Sequence, residues 1–114
     1  METTIKEPKN KEEFESIIKE GKPTLVEFFA TWCGPCQMMG MVLDEMATKY
    51  PRMDQVNIIK IDIDELGDLA KEYDVLSVPT IKIFYDGKET ESMSGMRSEE
   101  DLIAKLNSLL DNQK

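Results

Sequence analysis

The two cysteines of this 114-residue chain lie at the junction of two segments with different apolar patterns. Residues 24–30 form a short run rich in Leu, Val and Phe, which is typical of a central strand buried on both faces. From Gly34 to Tyr50 apolar residues recur at helical spacing. Cys33 and Cys36 therefore occupy the place where a buried strand passes into the longest predicted helix. The fold has to hold this strand and this helix together with the cysteine pair between them.

Strands and helices alternate along the chain, and the pattern changes near residue 80. Before that point helices separate the strands, which favours parallel pairing with right-handed crossovers. Beyond it, apolar and polar residues alternate up to a hairpin turn at Asp86-Gly87, which predicts antiparallel pairing. The predicted elements are an edge strand at 3–6, a helix capped by Asn10, a strand at 24–30, a helix at 34–50, a strand at 56–63, a short helix at 66–73, two strands joined at Asp86-Gly87, and a last helix capped by Ser98.

These patterns predict an α/β fold in which a central mixed sheet of four to five strands is flanked by four helices on both faces. The length of the chain suits one domain, and we expect a single domain over residues 1–114.

Composition and charge exclude several classes of function. The formal net charge is −9, and an acidic surface repels nucleic acid and anionic membranes, so we expect neither as a partner. The chain contains no histidine, which excludes Ser-His and Cys-His nucleophile pairs and zinc sites that mix Cys with His. Neither a secretory signal nor an apolar run of membrane-spanning length is visible, and we expect a cytoplasmic protein. An exported protein whose signal had been removed would look the same.

The segment Trp32-Cys33-Gly34-Pro35-Cys36 carries the chemistry that the sequence predicts. A cysteine just ahead of a helix faces unpaired backbone N–H groups and the positive end of the helix dipole, which lower the pKa of its thiol. Cys33 is therefore the predicted nucleophile, and Cys36, one helical turn further on, is the predicted resolving thiol. Two other interpretations remain open, namely a metal shared between two chains and a structural disulfide that closes a very small loop.

Residues 25–36 resemble the active-site strand and loop of the thioredoxin family, including the dipeptide between the cysteines. The resemblance extends in order from about residue 14 to residue 110. It includes the segments Lys60-Ile61-Asp62, Val78-Pro79-Thr80, Asp86-Gly87 and Ser94-Gly95-Met96. It implies a thioredoxin fold and a thiol-disulfide oxidoreductase, an enzyme that reduces disulfides of protein substrates. It further implies a monomer with no cofactor of its own, which a flavoprotein thioredoxin reductase recycles at the expense of NADPH.

The resemblance also implies a substrate-binding surface around Cys33. Pro79 would be a cis proline packed against the cysteine pair, and the backbone of Val78 would pair with an extended substrate segment. From the residues alone, Pro79 could instead follow a trans bond at the head of a strand. The residues expected to bind substrate are Trp32, Gly34, Pro35, Val78, Pro79, Gly95 and Met96.

Two charged residues in predicted strands are further candidates for the catalytic site. Glu27 lies within the apolar run, so burial should raise the pKa of its carboxyl, and the resemblance implies that such an acid helps to deprotonate the resolving thiol. Lys60 matches the family's lysine near that acid, although its residue pattern also suits an exposed strand position. The chain departs from the family pattern with the longer Glu27, with Met41 in place of a proline, and with Leu76-Ser77 in place of a basic residue and glycine.

The chain has eight methionines, most of which we expect to fill gaps in the core. Met38, Met39 and Met46 are assigned to the core in this way, and Met96 to a surface that binds partners.

Two other functions compete with a thioredoxin-type reductase. An exported oxidant or isomerase would favour a signal sequence and a histidine between the cysteines, and both are missing from the sequence given. A thioredoxin-fold binding subunit would use the same surface to hold a partner permanently. Intact Cys33, Cys36 and Pro79 favour the catalytic interpretation.

Overall fold

The computed structural model describes residues 5–112. Thr3 and Thr4, which belong to the predicted edge strand, lie outside the described residues. The elements in chain order are β1 (Ile5–Lys6), α1 (Lys11–Ile18), β2 (Thr24–Phe29), α2 (Gly34–Lys49), a 3-10 helix (Met53–Gln55), β3 (Asn57–Asp62), α3 (Gly67–Glu72), β4 (Thr80–Tyr85), β5 (Lys88–Ser94) and α4 (Glu99–Asp111). No helix in this part of the chain is both long and apolar enough to span a membrane.

The strands of residues 5–112 form one mixed sheet of five strands in the order β1-β3-β2-β4-β5. β3 pairs in parallel with β1 and with β2, whereas β4 pairs antiparallel with β2 and with β5. β2 therefore lies at the centre of the sheet. This arrangement confirms the predicted change from parallel to antiparallel pairing after the third helix.

Helices cover both faces of the sheet, as the apolar patterns predict. On one face, α2 and α4 pack on side chains that include Leu25 and Ile58. On the other face, α1 and α3 pack on Val26, Phe28 and their neighbours. Successive residues of β2 thus point to opposite cores, which explains why the strand is apolar throughout. The thioredoxin fold is confirmed.

The helix caps and the hairpin turn that the sequence predicts are present in the structure. The Asn10 side chain accepts a hydrogen bond from the Glu13 N–H at 2.9 Å, and Ser98 accepts one from the Asp101 N–H at 3.1 Å. Asp86 and Gly87 have φ values of 57° and 83°, so both central residues of the β4–β5 turn are left-handed. A two-residue hairpin favours that conformation because its twist matches the twist of the strands.

One methionine assignment is wrong. Met39 and Met46 are fully buried, as predicted, but Met38 is 58% exposed. The buried residues of α2 recur at three- or four-residue spacing through Cys36, Met39 and Met46, so Met38 is turned away from the sheet. Helical periodicity identified the buried stripe, but a run of two adjacent methionines left its edge undefined.

Gly40 lies on the buried face of α2, and its replacement tests how tightly this helix packs. A Cβ atom built there would lie 3.4 Å from Lys60 Nζ, an ordinary contact with the end of a flexible side chain. We expect Gly40→Ala to raise the free energy of unfolding by about 0.5–1 kcal/mol, because alanine loses less backbone entropy than glycine in a helix interior. Urea titration measures the change, and a destabilised variant would show that Lys60 cannot move aside.

Candidate functional site

The cysteine pair lies at the N-terminus of α2, as predicted. Cys33 is the N-cap residue, and its Sγ accepts a hydrogen bond from the Cys36 N–H at 3.2 Å. The two residues form a disulfide with a Cα–Cα distance of 5.2 Å, so the structure shows the oxidised protein. Gly34 and Pro35 between them are exposed. The Cys33 sulfur thus lies beside an N–H group of the first helical turn, where negative charge is favoured.

A small apolar cluster supports the disulfide from behind. Ala30 is buried with both cysteines, and Phe29, Ile63 and Val78 pack against them. These residues come from the ends of β2 and β3 and from the loop before β4. The disulfide is mostly enclosed, since Cys33 and Cys36 are both buried.

The predicted proline loop is adjacent to the disulfide. The Val78–Pro79 peptide bond is cis, and Pro79 is buried while Val78 is partly exposed. The Pro79 carbonyl accepts a hydrogen bond from the Gly95 N–H at 2.8 Å. Gly95 has φ +84°, a conformation that a residue with a side chain rarely adopts, and the turn that it forms carries Met96. The structure therefore brings Val78, Pro79, Gly95 and Met96 to the same end of the sheet as the disulfide.

Trp32 is an exposed residue beside the disulfide, and the structure gives it a partner that sequence reasoning missed. Its side chain is 70% exposed, and the indole N–H donates a hydrogen bond to Asp64 Oδ2 at 3.0 Å. Asp64 follows β3, the parallel neighbour of β2. Because parallel strands bring their C-terminal ends to one edge of a sheet, the strand order, had it been known, would have indicated this pair.

Glu27 is fully buried in the centre of β2, on the face that packs against α2. Neither carboxylate oxygen has a hydrogen-bond partner among the described residues. Burial raises the pKa of the Glu27 carboxyl from 4.5 to about 7, while the Lys60 charge opposes the rise and Asp44 adds to it. The predicted elevation of the pKa is confirmed, and its main cause is loss of hydration.

Lys60 stands opposite Glu27 in the parallel register of β2 and β3. Its Nζ lies 4.7 Å from the centroid of the Phe29 ring, and the residue is half-buried. A cation placed over an aromatic face is stabilised there by the ring quadrupole. The register therefore places Lys60 beside Glu27, and the alternative of an exposed strand residue is wrong because Lys60 is half-buried.

Within residues 5–112, no group of three or more His, Cys, Asp or Glu side chains is placed to hold a metal ion. The arrangement instead offers a dithiol–disulfide couple at a helix N-terminus, an acid that titrates near neutral pH, and an exposed apolar rim. Such a set can exchange disulfides by thiolate attack.

Comparison with known proteins agrees with this chemistry. The sequence model of the thioredoxin family matches residues 5–108. The chain belongs to the thioredoxin family. Its sequence is 40% identical to thioredoxin-1 of Saccharomyces cerevisiae over 87 residues, which are 76% of this chain and 82% of that one. The family's activity agrees with the cysteine geometry, and the chain is a thiol-disulfide oxidoreductase, that is, a protein-disulfide reductase.

Two further thioredoxin relatives extend the comparison. The structure of oxidised mitochondrial thioredoxin 3 from Saccharomyces cerevisiae superposes with a TM-score of 0.79 at 34% identity, over 91% of this chain and 94% of that chain. A bifunctional thioredoxin reductase/thioredoxin of Mycobacterium leprae is 34% identical over 99 residues, which are 87% of this chain and 21% of that protein.

The buried Glu27 makes the stability of the oxidised protein depend on pH. As pH rises from 4.5 towards 7, the carboxyl ionises in the unfolded chain but stays protonated in the fold, so stability is lost over this range. Glu27→Gln removes the loss. We expect the variant to match the parent at pH 4 and to be about 1–3 kcal/mol more stable at pH 8, after allowance for imperfect packing of the amide.

Urea titrations of both oxidised proteins at the two pH values measure this difference. Glu91→Gln is the matched control, because Glu91 is an exposed strand carboxylate whose replacement should change stability by less than about 0.5 kcal/mol at either pH. A Glu27→Gln protein less stable than the parent at pH 8 would contradict an uncompensated buried carboxylate.

Proposed function

We propose that this protein reduces disulfides of substrate proteins through a mixed disulfide on Cys33. The observation that carries the proposal is the position of Cys33 at the N-cap of α2, where its sulfur accepts a hydrogen bond from the Cys36 N–H. In the reduced protein, the same N–H and the helix dipole would stabilise a Cys33 thiolate.

The reaction transfers two electrons from the dithiol to the substrate disulfide. The Cys33 thiolate attacks one substrate sulfur, an S–S bond forms between them, and the other substrate cysteine leaves as a thiolate. The Cys36 thiolate then attacks Cys33 Sγ, and the remaining substrate sulfur leaves as a thiolate. The substrate ends as a dithiol, and the protein ends with the Cys33–Cys36 disulfide seen in the structure.

We assign Glu27 as the base that accepts the Cys36 proton in the second step. A general base works best when its pKa lies near the working pH, and the pKa of about 7 meets that condition. Lys60 is the residue that tunes this pKa, because its charge favours the ionised carboxylate and opposes the effect of burial.

The substrate segment is proposed to lie across the exposed rim of the site. Gly34, Pro35, Trp32 and Met96 leave a largely apolar surface around Cys33, and the partly exposed Val78 could pair through its backbone with an extended chain. Pro79 has no N–H group, so at this position the backbone offers no donor that would compete for hydrogen-bond acceptors of the substrate.

A separate reductase must return the oxidised protein to the dithiol. We propose an NADPH-dependent flavoprotein thioredoxin reductase, and the name of the bifunctional relative, which joins a thioredoxin reductase to a thioredoxin, supports the assignment. The working form that we propose is a monomer in the cytoplasm, because a net charge of −9 keeps copies of the chain apart and a reducing compartment maintains the dithiol.

Insulin reduction tests the proposed activity. The protein should accelerate precipitation of the insulin B chain with NADPH and a thioredoxin reductase as the electron source, and also with dithiothreitol in their place. Activity with dithiothreitol alone would retain the disulfide-reductase assignment and contradict the choice of reductase. Failure with both sources would contradict the proposed function.

Replacement of each cysteine tests the division of roles between them. Cys36→Ser should accumulate a covalent complex with insulin chains, because the mixed disulfide forms but is not resolved. Cys33→Ser should accumulate none, since its remaining thiol is the less exposed one. Non-reducing gels show the complexes, and equal trapping by the two variants would refute the assignment.

The proposed base predicts a pH profile for resolution of the mixed disulfide. The resolution rate of the parent should rise as pH passes through about 7, because Glu27 must be ionised to accept a proton. Glu27→Gln should resolve at least about tenfold more slowly at pH 7 and should lack this inflection. Stopped-flow fluorescence of Trp32 measures the rate, and an unchanged profile would show that another group accepts the proton.

A further inference from the structure

A methionine-lined groove runs along the exposed side of α2. Met38, Met41, Val42, Glu45 and Met96 line it, and its volume is about 330 Å³. Met38 and Met41 are 58% and 69% exposed, although large apolar side chains in a surface helix ordinarily face the core. The proposed reaction does not use the Met38–Met41 side of this groove.

Contacts connect the groove to the disulfide. Val78 packs against the cysteine pair, and the carbonyl of the neighbouring Pro79 accepts a hydrogen bond from the Gly95 N–H. Met96 follows Gly95 and forms one wall of the groove. The Arg97 N–H then contacts Met39 Sδ at 3.5 Å, which ties this turn to α2. The groove is therefore an extension of the rim on which we place the substrate.

Glu45, the charged side chain in the lining of the groove, is paired within the protein. Lys49 Nζ lies 2.8 Å from Glu45 Oε1 and 3.4 Å from Glu99 Oε2. The Arg97 guanidinium donates a hydrogen bond to the Met96 carbonyl at 2.8 Å. Because Glu45 already has a partner and the other lining side chains are apolar, the recognition that the groove offers is apolar. Methionine side chains are flexible and polarisable, so they can adapt to apolar groups of different shape.

We propose that this groove binds an apolar side chain of the substrate protein, located a few residues from the cysteine that Cys33 attacks. The inference rests on the proposed function and adds a substrate preference to it. A second copy of this chain is a poorer occupant, because each copy carries a net charge of −9 and a two-fold contact would place like surfaces together.

A peptide series provides the test. Each peptide has one cysteine linked by a disulfide to 2-nitro-5-thiobenzoate. The peptides come in pairs that carry either a single Leu or an Asn of similar shape, at one of four positions on either side of the cysteine. Attack by Cys33 on the peptide sulfur releases the coloured thiolate. For at least one position, we expect the parent to prefer Leu over Asn by about tenfold in kcat/KM, mainly through KM.

The variant Met38→Gln/Met41→Gln should reduce this preference to less than about twofold. Both positions are exposed and glutamine is a good helix former, so the fold should be kept. Reduction of 5,5′-dithiobis(2-nitrobenzoate), which carries no peptide, should not change. Met53→Gln, the same replacement outside the groove, should keep the Leu preference of the parent.

The outcomes separate this inference from the proposed function. The groove assignment would be overturned if the parent released 2-nitro-5-thiobenzoate from every peptide but showed no Leu preference. It would also be overturned if the double variant kept the preference. Either result would leave the reductase activity standing. A parent that reduces neither peptides nor 5,5′-dithiobis(2-nitrobenzoate) would overturn both. A parent dimer that the double variant dissociates in sedimentation velocity would show that a second copy occupies the groove instead.

Discussion

The pairing of β2 with a strand on each side is the interaction on which the rest of the site depends. β3 holds β2 in parallel register and β4 holds it antiparallel, so its backbone is bonded along both edges. The end of this strand leads directly into the N-cap of α2 and thereby positions Cys33. The same strand carries Glu27 towards α2. A rigid central strand thus holds the sulfur pair and the buried acid in a constant relation.

The buried acid is a local departure from the rules that stabilise the fold. A carboxyl without hydrogen-bond partners in an apolar core opposes folding once it ionises, and a replacement without charge would pack there at lower cost. Departures of this kind concentrate at functional sites, where stability is exchanged for a shifted pKa. Lys60, held over the Phe29 ring, limits the cost because its charge favours the ionised form.

The large apolar side chains that are exposed to solvent lie near the active-site end of the sheet and along α2. Trp32 directly precedes Cys33, and Met96 lies at the same end of the sheet as the disulfide. Met38 and Met41 lie along α2, and Leu76 lies in the loop that leads to the cis proline. Such a surface suits partners that share little sequence but present an extended segment around a disulfide.

Local patterns in the sequence determined the elements, their caps and the identity of the reactive thiols. Cys33 and Cys36 could be assigned because a strand, a loop and a helix start are adjacent in the chain, and the cis bond at Pro79 was available through the family resemblance. The elevated pKa of Glu27 followed from its apolar neighbours. Tertiary structure alone decided which residues meet across the sheet, because strand order brings distant segments together. It joined Trp32 to Asp64, turned Met38 outward, and connected the Met96 turn to α2.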